Sequence, residues 1–129
     1  MTSLPHSVTR EILLSFWKVH ILHHAGERPI YGQWIAGELR RHGYSISPGT
    51  LYPLLKRMEL KGWLKCSQSP GAVAHARKEY RLTQAGAAIL TMIRAQVEEL
   101  HRELVQGARE ARGRMEPQAA GRRRRKPAG

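Results

Sequence analysis

The chain has 129 residues, of which 22 are Lys or Arg and 10 are Asp or Glu, for a formal net charge of +12. That length suits about one domain and excludes a large multidomain enzyme or a fold needing a couple of hundred residues. The charge excess points to a polyanionic partner, and the 41% hydrophobic share permits only a modest core, one that a second copy could extend.

In chain order, Thr9 is placed to cap a helix running to about Ala25, with Gly26 as its stop. Ile12, Leu13, Phe16, Trp17 and Val19 fit its apolar face. The longest apolar-rich stretch, Ile12 to Leu22, is broken by Lys18 and His20 and is too short to span a bilayer. His20, His23 and His24 have the i, i+3, i+4 spacing that could bind a transition metal. With no second-shell carboxylate evident and no CxxC motif, the favoured reading is a run that caps a helix end, and neither metal nor cofactor is expected. A loop follows from Gly26 to Pro29. Tyr31, Trp34, Ile35 and Leu39 then recur at helical spacing up to Gly43.

Ser47-Pro48 is a strong helix start, a serine cap followed by proline at the first helical position. Leu51, Leu54, Leu55 and Met58 follow at i, i+3, i+4 and i+7, and Gly62 closes the helix. Pro53 should bend this helix, because it removes a ladder hydrogen bond. The period then changes. Trp63, Leu64 and Cys66, then Tyr80 and Leu82, read as two strands joined by the turn-forming Ser69-Pro70-Gly71-Ala72. The lone Cys66 cannot form an internal disulfide, and a small buried hydrophobe in a strand is its expected role. Thr83 caps a last helix, about Gln84 to Arg109, whose Ile89, Ile93, Val97, Leu100 and Leu104 form an a/d-type seam.

The charge is uneven. Residues 1–111 hold 15 basic and 9 acidic residues, and residues 112–129 hold 7 and 1, so each part carries +6. The tail has almost no large apolar residue and is expected to be disordered. It reads either as a solubilising end or as a sequence-blind phosphate contact. Within the body, Arg40 to Arg81 carries nine basic residues against Glu59 and Glu79. Charge gathered in one segment is a footprint rather than general solubility. The N-terminus shows no secretory signal pattern, so a reduced, soluble, cytoplasmic protein without a membrane partner is expected. No Ser/His/Asp arrangement, phosphate-binding loop or paired carboxylates suggest catalysis.

The expected architecture is mainly α with a small β-hairpin. Residues 1–83 form a winged helix-turn-helix, 84–111 a long C-terminal dimerisation helix and 112–129 the basic tail. Ser47-Pro48-Gly49-Thr50-Leu51-Tyr52-Pro53-Leu54-Leu55-Lys56-Arg57-Met58-Glu59 resembles the PadR family of bacterial transcriptional regulators. Arg77-Lys78-Glu79-Tyr80-Arg81-Leu82-Thr83-Gln84-Ala85-Gly86 is similar to a second family motif, and Tyr31-Gly32 to a third. The resemblance implies a homodimeric, repressor-type protein of the family's smaller branch, with the proline retained in the recognition helix. The chain departs from the pattern at Glu79, often aromatic in the family, at Gln33 after Gly32, and in its poly-Arg tail.

On this reading Ser47 opens the recognition helix, whose N-terminus favours an anion. Gly49 allows close backbone approach, Thr50 and Tyr52 donate hydroxyl hydrogen bonds to duplex DNA, and Lys56 reaches phosphate. Arg57 either contacts DNA or pairs with Glu59 or Glu38. Arg77 and Lys78 present a wing to the backbone or minor groove. The plainer alternatives are a solvated helix face and a charge-guarded edge strand. The seam packs on the protein's own first helix or on a partner's. A 26-residue helix of about 39 Å favours the partner. Trp17 and Trp34 are core anchors that could also line a pocket for a small aromatic effector. The leading function is a sequence-specific, DNA-binding repressor reading a palindrome. The alternative is a basic architectural or RNA-associated protein dominated by its tail.

Overall fold

A computed structural model describes residues 6–68 and 78–124. The chain divides into two compact units, residues 1–91 and 92–129. In the first, α1 (His6–Val8) passes through a π-helical turn (Thr9–Leu13) into α2 (Leu14–Glu27). There follow β1 (Ile30–Tyr31), α3 (Gly32–Arg41), α4 (Pro48–Leu60), β2 (Leu64–Gln68), β3 (Lys78–Leu82) and the start of α5 (Gln84–His101). The strands form an antiparallel sheet in the order β1-β3-β2. Tyr31 stands opposite Glu79, and Lys65 opposite Arg81.

The core lies where α2 packs on α3 and β3, α3 on α4, and α4 on β2. Ile21, Leu22, Ile35, Leu39, Leu54, Leu55 and Leu64 are fully buried there. Leu51, Leu54, Leu55 and Met58 form the buried stripe of α4 that their spacing predicts. Two of the three predicted glycine stops are left-handed, Gly43 at φ 88° and Gly62 at φ 81°. Each closes its helix with the same pair of hydrogen bonds. Gly43 N–H donates to Arg40 O and Tyr44 N–H to Leu39 O; Gly62 N–H donates to Glu59 O and Trp63 N–H to Met58 O. This αL closure satisfies carbonyls that a helix end would leave orphaned.

Several local readings are corrected. The first helix begins at His6, not Thr9, and Thr9 lies inside the π-helical turn. That turn widens the winding and shifts the apolar phase. Ile12 and Phe16 are consequently exposed, while Trp17, Ile21, Leu22, His24 and Ala25 face the core. Gly26 is helical rather than a stop. A Cβ there would lie 3.1 Å from Leu82 Cδ2, so the glycine serves close packing. Strand β1 was unforeseen, because two residues are too short to display a period. The Ser69–Ala72 hairpin tip lies outside the described residues.

The described residues of the second unit are helical throughout. The C-terminal half of α5 leads through a second π-helical turn (Arg102–Gln106) into α6 (Gly107–Arg124). Here too the sequence reading is corrected. The helix continues past Arg109, through much of the stretch expected to be disordered. Its Ala, Arg, Glu, Gln and Met residues have good intrinsic helix propensity, which a test for core-forming residues does not register. Among the described residues, no helix is long and apolar enough to cross a membrane.

Candidate nucleic-acid interface

Helix α4 presents two unlike faces. Its buried stripe anchors it, and Gly49, Tyr52, Pro53, Lys56 and Arg57 are exposed on the other side, with Thr50 half-buried at the edge. Ser47 precedes the helix in extended conformation, and its carbonyl accepts from Thr50 N–H at 3.0 Å and Leu51 N–H at 2.9 Å. Its side chain does not cap the backbone as predicted. The Ser47 hydroxyl donates instead to Thr50 Oγ1 at 3.1 Å. Pro48 has no N–H, and those of Thr50 and Leu51 are spent on Ser47 O, so Gly49 N–H is the first-turn donor left for an anion at the surface.

Pro53 is accommodated inside α4 without ending it. The carbonyl that loses its ladder donor belongs to Gly49, four residues earlier on the exposed turn, where water can serve it. Gly49 has no packing reason to be glycine, since a Cβ there would meet only Ser47 Oγ at 3.9 Å. Gly32 is different. The ring of Tyr52 seats on it, and Tyr52 keeps 44% of its surface open.

Lys56 Nζ lies 3.3 Å from Glu59 Oε1, a pair at the surface with the lysine exposed and the glutamate half-buried. Such pairs are weak, so the ammonium can exchange this carboxylate for a phosphate. Arg57 pairs with neither candidate carboxylate. Glu38 is taken by Arg41 at 2.9 Å and Glu59 by Lys56.

On the hairpin, Lys78 is exposed at the start of β3, and Arg77 lies outside the described residues. Glu79 is occupied internally. Its carboxylate accepts from Tyr31 Oη at 3.2 Å and Arg81 Nε at 3.0 Å. The outer hairpin face also carries Lys65 directly across from Arg81, both exposed. Like charges opposite one another destabilise a sheet, and the Glu79 carboxylate on Arg81 offsets part of this repulsion. Sequence reasoning missed the pair because the register depends on the length of the tip. On the inner face, Cys66 is half-buried opposite Tyr80, whose hydroxyl is pushed well above its ordinary pKa, chiefly by burial and then by Cys66.

Thr83 joins the hairpin to α5, as its capping position predicts. Its Oγ1 accepts from Gly86 N–H at 3.0 Å and donates to Gly62 O at 2.6 Å. Gly86 passes so close to the Trp63 carbonyl that a Cβ would overlap it. Of the seam, Ile89 and Ile93 are half-buried, whereas Val97, Leu100 and Leu104 are exposed. Leu90, outside the predicted seam, is the buried anchor of α5.

The two tryptophans have separate settings. Trp17 is buried with its ring edge toward Tyr44 and its Nε1 without a hydrogen-bond partner. Trp34 lies against His24, with the Arg28 guanidinium 4.6 Å from its ring centroid.

The histidines form a further cluster with ligand chemistry. His20 and His24 of α2 meet His42 at the C-terminus of α3, with one ring nitrogen of each within 4.8 Å of the others. Contrary to the sequence reading, carboxylates are at hand. Glu27 Oε1 lies 3.1 Å from His24 Nδ1, and Glu38 Oε1 lies 3.9 Å from His42 Nε2. His20 is held below its ordinary pKa by burial first, then by the positive charge that His42, His24 and His23 would bear, with Glu38 opposing.

A family model described as the transcriptional regulator PadR-like family matches residues 21–92. The transcriptional regulator Rv3488 of Mycobacterium tuberculosis is 47% identical over 98 residues, covering 76% of this chain and 91% of that protein. Among solved structures, a PadR-like transcription factor from Bacteroides fragilis superposes with a TM-score of 0.67 at 26% identity, covering 76% of this chain and 95% of the other. A PadR family transcriptional regulator from Eggerthella lenta gives 0.62 at 28% identity, covering 78% and 91%.

Proposed function

Because this chain belongs to the PadR-like family of transcriptional regulators, we infer that it acts as a homodimeric repressor reading a palindromic operator through α4. The observation that carries this reading is the division of α4. One face is fully buried in the core, and the other offers Gly49, Tyr52, Lys56 and Arg57 to solvent at a helix N-terminus. Thr50 and Tyr52 supply hydroxyls, Lys56 and Arg57 supply cations, and Gly49 supplies a backbone N–H. Lys65, Lys78 and Arg81 of the hairpin extend the cationic surface, and Arg77 is assigned to it from the sequence. Few of these side chains make bidentate contacts with base edges, so part of the specificity rests on DNA shape.

The dimer is supported by Val97, Leu100 and Leu104, which leave an apolar seam open to water in the single chain. A dimer reads two half-sites about one helical turn, or roughly 34 Å, apart. Repression needs no further contact, since a protein seated on a promoter excludes the polymerase. The reading includes no catalytic step. Release by a small aromatic molecule at Trp17 and Trp34 is not included, because the two rings sit against different neighbours.

Selection of bound duplexes from a random pool at physiological salt tests the reading. A palindrome with a fixed half-site spacing is expected, and Tyr52→Ala or Lys56→Ala should abolish the enrichment. A pool that stays random would point instead to architectural binding through the basic tail.

A further inference from the structure

The histidine cluster plays no part in the surface assigned to DNA. His20 and His24 lie one turn apart on α2, and the chain returns His42 to them at the end of α3, so the cluster joins two helices. His24 is mostly buried, and its two nitrogens differ. Nδ1 is engaged by Glu27 Oε1 at 3.1 Å, and Nε2 is buried with no hydrogen-bond partner. A buried polar atom left this way costs stability unless something occupies it. A carboxylate on one ring nitrogen fixes the tautomer so that the other nitrogen keeps its lone pair, the arrangement typical of metal-bound histidines. Glu38, itself mostly buried, places Oε1 3.9 Å from His42 Nε2, near enough for electrostatic attraction but beyond hydrogen-bond reach.

We propose that His20, His24 and His42 bind one borderline divalent transition-metal ion, with Zn2+ the type and water as the fourth ligand. Three imidazoles select this class over Mg2+ or Ca2+, which prefer oxygen ligands. The geometry needs only a small closure. Two ligand nitrogens on tetrahedral Zn2+, at about 2.05 Å each, lie about 3.3 Å apart. The 4.8 Å limit of the cluster must therefore shrink by roughly 1.5 Å at most. His42, 45% exposed, and the half-buried His20 can supply that by side-chain rotation. Glu27 and Glu38 offset part of the added charge, although Arg41 already holds one oxygen of Glu38 at 2.9 Å. A second grouping, His23, His24 and Glu27, competes for the same ion. It is disfavoured because Glu27 already serves His24 Nδ1.

The ion would tie the end of α3 to α2 immediately before residues 43–47, which lead into α4. Binding would thus restrict the turn that aims the DNA-facing helix.

The test uses the untagged full-length chain, freed of metal and titrated with Zn2+ by calorimetry, and with Co2+ by absorption. One tight equivalent per chain and the strong visible bands of four-coordinate Co2+ are expected. His42→Gln and His20→Gln should each weaken zinc binding about tenfold or more, and His23→Gln should leave it unchanged. Circular dichroism melts of the metal-free variants check folding; His42 is exposed enough for His42→Gln to keep the fold. Absence of a tight equivalent overturns the proposal. So does binding that survives His42→Gln or that disappears with His23→Gln. None of these outcomes bears on operator recognition, which is measured separately.

Discussion

The aromatic ring of Tyr52 rests on the backbone of Gly32. A Cβ built on that glycine would lie 2.5 Å from Tyr52 Cε1 and 3.1 Å from its hydroxyl oxygen. Two sequence motifs twenty residues apart are thus a single contact between the start of α3 and the first turns of α4. The contact holds one side of the ring and leaves its remaining surface open toward the proposed DNA face.

Gly32→Ala should therefore displace Tyr52. The expected cost is about 1–3 kcal/mol of stability from overpacking, together with weaker operator binding. Tyr52→Phe keeps the seat and removes only the hydroxyl, so its stability should stay near wild type while specific binding falls. Urea denaturation and operator titration on the same samples separate the two effects.

Gly49 should behave in the opposite sense. Because a Cβ there meets no close neighbour, Gly49→Ala should stabilise the protein by about 0.5–1 kcal/mol through helix propensity. The added methyl faces the proposed duplex, so operator affinity should drop. A variant that is more stable and binds equally well would remove Gly49 from the interface.

The joint between hairpin and α5 should be intolerant of change. Gly86→Ala drives a methyl into the Trp63 carbonyl and to 2.7 Å from Leu82 Cδ1. A backbone carbonyl cannot rotate away, so a loss of about 1–3 kcal/mol is expected. Thr83→Ala removes the cap on Gly86 N–H and should cost about 1 kcal/mol. Thermal melts of both variants measure this.

Charge placed in the seam should separate the proposed dimer. Val97→Glu with Leu104→Glu alters side chains that are exposed in the single chain, so the fold should survive. Sedimentation should report a monomer, and operator affinity should fall because the second head no longer binds intramolecularly.

Removing residues 112–129 deletes seven basic side chains. If the tail contacts phosphate, the salt dependence of binding should flatten by at most about six in log–log slope per protomer, with the preferred site unchanged. Loss of sequence preference as well would contradict recognition through α4.

What the sequence determined by itself lay in short-range pattern. The stripe Leu51, Leu54, Leu55, Met58 reads from a 3.6-residue period, Gly43 and Gly62 from the αL conformation at a helix end, and Thr83 from cap chemistry. Each of these rests on a few neighbouring residues. Long-range pairing was decided only by the tertiary structure, because local signals carry no distance information. Thr9 looked like a cap and Gly26 like a stop, yet packing continues the helix past both. His42 joins His20 and His24 only because α3 returns to α2. Lys65 faces Arg81 through a strand register, and Glu59 and Glu38 take Lys56 and Arg41 as partners, leaving Arg57 to solvent.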